Sequence, residues 1–414
     1  MFKRIIILMT FSCVFGEYDV LIPTMKDNTK TRKSSHTHIF KESNSHLSAR
    51  SDIEKQNRAR HDHSHEVVFI IQQKNMDKLT SILHDISNPY SPNYGQHWTR
   101  DEVVDFTSNV EGRNAVVSYL HLSGASVVSE TLAGEYVTAK ASVKIWEKMF
   151  DTQFFLFHLK HRDDSIETVI RAENYWIPRE LNEHLAGVLN MIEIFDQLSK
   201  SPSRIPQPSK IDRFSSTEFG YMTPTKLRAY YNMSRAMGSI NSTQAVFASA
   251  GQYYSPKNLA SFQELEDSPV QAAVREYGNH ANDTVCILNE RICSEGNLDM
   301  QYITTMSPLS PTTFWYTDAW LTAWLSEVAN SINPPKVLSI SYGAHEDSLS
   351  AAVYIAFDLM AIKLGTMGVT IVVASGDDGA GDRYKCGYNP SYPATSPYIV
   401  SVGGTIVSQI TYLD

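Results

Sequence analysis

Val369-Thr370-Ile371-Val372-Val373-Ala374-Ser375-Gly376-Asp377 decides how this 414-residue chain is read. An apolar run between glycines has the look of a strand buried on both faces of a parallel sheet. A glycine-bearing loop at the carboxyl end of such a strand is where α/β proteins keep their sites. Working upstream, 245–248 and 337–341 read as short apolar strands, and downstream 398–402 reads as another. Helical spacing covers 255–265, 296–306, 319–329 and 349–364. Strands and helices in this alternation predict a parallel α/β sheet over 217–414.

A different unit precedes it. Residues 67–72 read as a buried strand, and Met76, Leu79, Ile82, Leu83 and Ile86 give a helix its apolar face over 76–86. The segment 88–95 is turn material. A helix over 111–122, strands at 125–128 and 136–139, a helix over 142–150 and a strand at 154–158 complete the pattern. It predicts an α+β unit over 65–197, with helices packed on an antiparallel sheet. Between the units, 198–216 carries Pro202, Pro206 and Pro208 among Lys200, Arg204, Lys210 and Arg213, an extended linker that serves either as a maturation cleavage site or as a passive tether.

At the N-terminus, Lys3 and Arg4 precede an apolar run over 5–15 and Gly16, which predicts a secretory signal peptide over 1–16. The run is too short to span a bilayer, which takes about twenty residues. Residues 17–64 form a polar spacer in which ordered structure is not expected. Its histidines, with one just beyond, are His36, His38, His61, His63 and His65. They read as a solvated run rather than a metal clip, because no carboxylate–cysteine framework completes a site. Sequons at Asn232, Asn241 and Asn282 agree with a lumenal route. The net charge of −9 argues against binding duplex nucleic acid. Of four cysteines, Cys13 leaves with the signal, Cys286 and Cys293 suit a short disulfide, and Cys386 is left over.

Two features carry possible chemistry. Glu295 and Asp299 stand four apart, so a helix would stack both carboxyls on one face, where one proton can be shared. Alone, such a pair is more often a solvated helix edge. The loop 375–382 has no Gly-Lys-Ser/Thr and three carboxylates, so it is not a phosphate cradle, and its acids do not alternate as an EF-hand requires.

Five motifs then follow one another in order: Glu295-x-x-x-Asp299, Ser339-Ile340-Ser341-Tyr342-Gly343, Ser375-Gly376-Asp377, Pro393-Ala394-Thr395-Ser396-Pro397-Tyr398 and Val402-Gly403-Gly404-Thr405. The series resembles the sedolisins, the serine-carboxyl peptidases, and the turn Ser91-Pro92-Asn93-Tyr94-Gly95 resembles part of that family's propeptide. The likeness runs from about His65 to the end of the chain.

The resemblance implies a ferredoxin-like propeptide followed by a subtilisin-like α/β catalytic domain. It implies an acid peptidase that acts on peptides or proteins, releases N-terminal tripeptides, and is inhibited by its own propeptide. Glu295 would be the general base, Asp299 its partner and Asp377 the oxyanion-stabilising carboxyl, while Ser341, Tyr342 and Gly343 would line the substrate cleft. A glutamate base and a protonated aspartic acid both suit low pH, hence a lysosomal or secreted enzyme with no nucleic-acid or membrane partner.

The family's nucleophile lies in a Gly-Thr-Ser motif downstream of position 405, and its calcium ligands lie later still. Neither is found in these residues, nor is a family partner for Cys386, so the catalytic domain is expected to be C-terminally truncated. Position 378 is aspartate where close relatives carry serine. The alternative from another class is a catalytically inactive product that acts as a binding or regulatory protein.

Overall fold

The computed structural model describes residues 37–44, 52–160, 166–194, 222–233, 236–318, 321–377, 379 and 388–404. The signal at 1–16, His36, the linker at 198–216, Asp378, Cys13 and Cys386 lie outside the described residues.

The first unit comprises β1 (His38–Ser43), β2 (Ile53–Arg58), β3 (Ser64–Ile71), α1 (Met76–Ser87), α2 (Arg100–Thr107), α3 (Val110–Leu122), β4 (Ser126–Glu130), β5 (Tyr136–Ser142), α4 (Val143–Met149), β6 (Phe154–Lys160), β7 (Ile166–Ala172), β8 (Asn174–Pro178) and β9 (Leu185–Leu189). Its main sheet is antiparallel in the order β4-β5-β3-β9. The alternation along β3 explains why that strand is apolar from Val67 to Ile71. Val67, Phe69 and Ile71 face a core with Val116 and Leu120 of α3 and Trp146 of α4. Ile70 points the other way, into a core shared with the second unit, and Val68 packs against that core. A strand with two buried faces has no position for a polar residue.

Two strands correct the reading of 17–64 as a spacer without ordered structure. β1 pairs antiparallel with β8, and β2 with β6. Both sit in small subsidiary sheets and pair through backbone groups, so they need little apolar sequence and leave little periodicity to detect. The histidines there are separately engaged. His38 Nε2 meets the Met149 carbonyl and His65 Nε2 the Asn190 carbonyl. Among the described residues no group of three or more His, Cys, Asp or Glu is placed to hold a metal ion.

The second unit comprises α5 (Pro224–Tyr230), β10 (Gln244–Ala248), α6 (Pro256–Leu265), β11 (Arg275–Tyr277), α7 (Asp283–Leu288), α8 (Ser294–Met306), β12 (Thr312–Tyr316), α9 (Leu321–Ala329), β13 (Val337–Ile340), β14 (Ala344–His345), α10 (Ala351–Thr366), β15 (Thr370–Ala374), β16 (Ser391–Tyr392) and β17 (Val400–Val402). Its six-stranded sheet runs β11-β12-β10-β13-β15-β17, parallel throughout. β10 shows how the two layers form. Ala245 and Phe247 enter the core with α9 and α10, while Val246 and Ala248 enter the opposite one with Leu259 of α6 and Met300 of α8. Helices on both faces of a parallel sheet follow from crossover connections.

The first unit's sheet lies against α10. Lys363 Nζ donates to Glu135 Oε1 at 2.7 Å and to Gln73 Oε1 at 2.8 Å, and Tyr136 Oη donates to the Ala356 carbonyl at 2.9 Å. Gly187 of β9 permits the closest approach, since a Cβ there would lie 2.9 Å from Ala352 Cβ. Among the described residues no helix is long and apolar enough to cross a membrane.

Candidate active site

Parallel register sets the edge on which the site is built. Phe247 of β10 pairs with Ile340 of β13, and Ile340 with Val373 of β15. The carboxyl ends of the central strands are therefore level, and the residues just beyond them, Ser249, Ser341 and Ser375, emerge at one edge. A helix that returns along such a sheet begins at that same edge, which is where ligand sites of open α/β sheets form. The acids of α8 sit at its start.

Glu295 occupies the first turn of α8 and Asp299 follows one turn later, both half-buried. The helix is drawn tightly against the loop after β10. At Gly296 a Cβ would lie 2.4 Å from the Tyr253 carbonyl oxygen, so glycine is required there. The Glu295 amide donates to Oε1 of buried Gln252 at 3.3 Å, and Asn297 Oδ1 accepts from the Ser255 amide at 2.8 Å. That loop turns through Ala250 at φ 53° and Gly251 at φ 69°. Immediately upstream, Cys286 and Cys293 are joined by a disulfide and clamp the α7-to-α8 junction. The pairing read from their spacing is present.

Ser341 connects the acids to the sheet. Its Oγ donates to Asp299 Oδ1 at 2.9 Å. Burial raises Asp299 first and the Glu295 charge raises it further, to about 8, while the Ser341 hydroxyl pulls it back. Glu295 is likewise raised by burial and then by the Asp377 charge, with Ser341 again opposing. Two carboxyls in one partly dehydrated space cannot both ionise cheaply, so the pair retains a proton into the neutral range. Asp377 is exposed, just past β15, and close enough for its charge to act on Glu295.

The three residues 341–343 diverge. The Tyr342 ring is buried, meets Phe247 edge-on at 5.3 Å, and sends its hydroxyl to the Ser249 carbonyl at 3.4 Å. Gly343 lies against the 392 backbone, where a Cβ would be 2.7 Å from the Tyr392 carbonyl oxygen. Of the three, only Ser341 hydrogen-bonds an acid. The sequence reading missed Gln252, Gly296 and Asn297, although a glycine wedged between paired acids is a visible signal of close backbone approach. It also missed the stack of Tyr253, His280 and Tyr316 beside this loop, with ring separations of 4.1 and 3.3 Å, and the Tyr316 hydroxyl donating to Asp318.

Of the sequon asparagines, Asn232 and Asn241 are exposed, whereas Asn282 is half-buried and accepts from the Val285 amide as the N-cap of α7. A cavity of about 800 Å³ opens between the units, lined by Glu66, Arg171 and Glu193 on one side and Ser249, Asp318 and Glu327 on the other.

Comparison with known proteins adds to this geometry. Residues 51–193 match the family described as Pro-kumamolisin, activation domain. That span begins upstream of the 65 assigned from sequence and takes in β2. Physarolisin of Physarum polycephalum is 28% identical over 394 residues, covering 89% of this chain and 64% of that protein. Tripeptidyl-peptidase 1 of Rattus norvegicus is 29% identical over 359 residues, covering 82% of this chain and 61% of that protein. The solved structure of Pseudomonas sedolisin, a serine-carboxyl proteinase complexed with pseudo-iodotyrostatin, aligns with 23% identity over 46% of this chain and 55% of its own, with a TM-score of 0.36. The chain is homologous to physarolisin and tripeptidyl-peptidase 1, and spans less than two thirds of their length.

Proposed function

We propose that this chain is the greater part of a serine-type acid peptidase zymogen, in which Glu295 is the general base and Asp299 shares its proton. The observation that carries the reading is the convergence of Glu295, Asp299, Ser341 and Asp377 on the carboxyl edge of one parallel sheet. Glu295 takes the proton of a serine hydroxyl as that oxygen attacks the scissile carbonyl carbon. The Asp377 carboxyl stabilises the developing oxyanion, the role that the resemblance gives it. Collapse expels the amine, which receives the proton from Glu295, and water then hydrolyses the acyl-enzyme by the same route in reverse. The resemblance would place that serine in a Gly-Thr-Ser motif downstream of position 405, and the chain spans less than two thirds of its relatives' length.

The first unit is the propeptide and intramolecular inhibitor. Strand order β4-β5-β3-β9, with α3 between β3 and β4 and α4 between β5 and β9, supports a ferredoxin-like reading of it. The parallel sheet with helices on both faces supports a subtilisin-like reading of the second unit. Likeness to tripeptidyl-peptidase 1 supports release of N-terminal tripeptides, in an acidic lumenal compartment, lysosomal or secreted. The described residues offer no set that fits the calcium implied by the resemblance, and no step runs through it.

The test is tripeptide release from an unblocked peptide by enzyme purified from its source. Activity confined to acid and abolished by Glu295→Gln is expected; cleavage indifferent to that substitution overturns the assignment.

A further inference from the structure

Two acids of the first unit, Glu193 near its end and half-buried Glu42 in β1, fasten it to the start of α10. Glu193 is 1% exposed, and its Oε1 accepts from Ser350 Oγ, the N-cap residue of α10, at 2.8 Å. Its Oε2 accepts from the Met191 and Ile192 amides at 2.9 and 3.2 Å, and its carbonyl accepts from Arg171 Nε at 2.5 Å. Glu42 of β1 lies beside it and accepts from the Ala351 and Ala352 amides and the Tyr175 hydroxyl. Both carboxyls thus sit at the positive end of a sixteen-residue helix.

One histidine stands behind this fastening. His65 Nε2 donates to the Asn190 carbonyl at 2.8 Å, with Asn190 held at φ 66°, and its ring packs on Phe154 at 5.3 Å. The charged groups facing it are Arg171 of β7 and Glu66 of β3. Arg171 is the same residue that holds the Glu193 carbonyl. A proton on His65 therefore places a second cation next to the guanidinium that organises 190–193.

We propose that His65 is the acid sensor of this seam: its protonation beside Arg171 disorders residues 190–193 and withdraws the Glu193 carboxylate from Ser350, freeing α10 from the first unit. This rests on the reading that the first unit restrains the second, and it deepens that reading by naming the group through which acid acts.

The signs distinguish His65 from its neighbours. Burial first, with Arg171 adding to it, holds the imidazole down to about 4 against the Asn190 carbonyl and Glu66. A lowered histidine contributes stability that is full above its ordinary value of about 6.5 and is lost as pH falls through 4. Glu42 runs the other way. Burial and the Glu193 charge raise it to about 7, so its contribution is full in acid and lost as pH rises. Acidification tightens the Glu42 contact and cannot open the seam through it.

The experiment is hydrogen–deuterium exchange on the full chain between pH 7 and 3, following 185–193 and 350–358, with the His65 imidazole titrated by NMR in the same samples. Protection of both segments is expected to fall tenfold or more, about 1.4 kcal/mol of opening free energy, as the imidazole titrates. His65→Gln, which keeps a donor for Asn190, should retain protection throughout. Loss of protection at the same pH in His65→Gln overturns the proposal. So does an imidazole that titrates in the wild type while 190–193 stays protected, a result that needs no variant to fold. Neither readout involves peptide cleavage, so a failure here is separable from a failure of the proposed activity.

Discussion

Lys363 Nζ of α10 lies 2.7 Å from Glu135 Oε1 of the first unit, and both side chains are 2% exposed. The pair is the one buried salt bridge across the seam among the described residues, and Gln73 Oε1 takes a second ammonium proton at 2.8 Å. Removing one partner leaves an uncompensated charge in the interior. Glu135→Ala should cost about 3–5 kcal/mol in chemical denaturation, while the double change Glu135→Leu with Lys363→Met should recover most of it. A double variant as unstable as the single one would show that the ion pair itself, not relief of an orphaned charge, governs the contact.

Asp299 should make the protein less stable as pH rises. Its carboxyl is raised to about 8 by burial and by Glu295, so its contribution is full below about 4 and drains away up to 8. Asp299→Asn should flatten the fall of the denaturation midpoint across that window by about 1.4 kcal/mol per pH unit. Parallel wild-type and variant curves would refute the assignment.

The Ser341 hydroxyl favours the ionised form of both acids. Ser341→Ala should push the titration of the pair upward, read by carbon NMR of the carboxyls, and Ser341→Thr should restore it. An unchanged titration in Ser341→Ala would remove Ser341 from the site.

Gly296→Ala places a Cβ 2.4 Å from the Tyr253 carbonyl oxygen. The backbone of α8 must retreat, at about 1–3 kcal/mol for an overpacked contact, and Glu295 moves with it. A lowered melting temperature together with an altered titration of the acid pair is expected. The adjacent exposed position, in Leu298→Ala, should leave both unchanged.

Cutting the clamp upstream should cost a comparable amount. The disulfide closes a loop of sequence separation 7, so Cys286→Ser should lower stability by about 2–3 kcal/mol on the chain-entropy account. Reduction of the wild type should reproduce the loss in thermal melts.

Legibility from sequence was uneven for physical reasons. α8, α10 and β15 were readable because their apolar spacing or run is local. β12, Thr-Thr-Phe-Trp-Tyr, lies between β11 and β10 in the parallel sheet yet was passed over. An unbroken aromatic run has no period of two to distinguish it from a buried helix segment. α2 has little amphipathic signal, but the Thr99–Glu102 capping box marks its start and was there to be found. β1 and β2 had no local signature, because strands held by backbone pairing to β8 and β6 can carry almost any side chain.

The sequence by itself determined that Glu295 and Asp299 share a helix face, that Cys286 and Cys293 can meet, and that two units of different architecture follow one another along the chain. These depend on separations of a few residues, which helix and loop geometry convert directly into distance. Only the tertiary structure decided that Ser341, 42 positions away, donates to Asp299, that Asp377 stands beside Glu295, and that Lys363 finds Glu135 across 228 positions. Such meetings depend on the register of parallel strands and on how one sheet beds against a helix. Both are set by the packing of many side chains at once, and no single stretch of the chain carries that information.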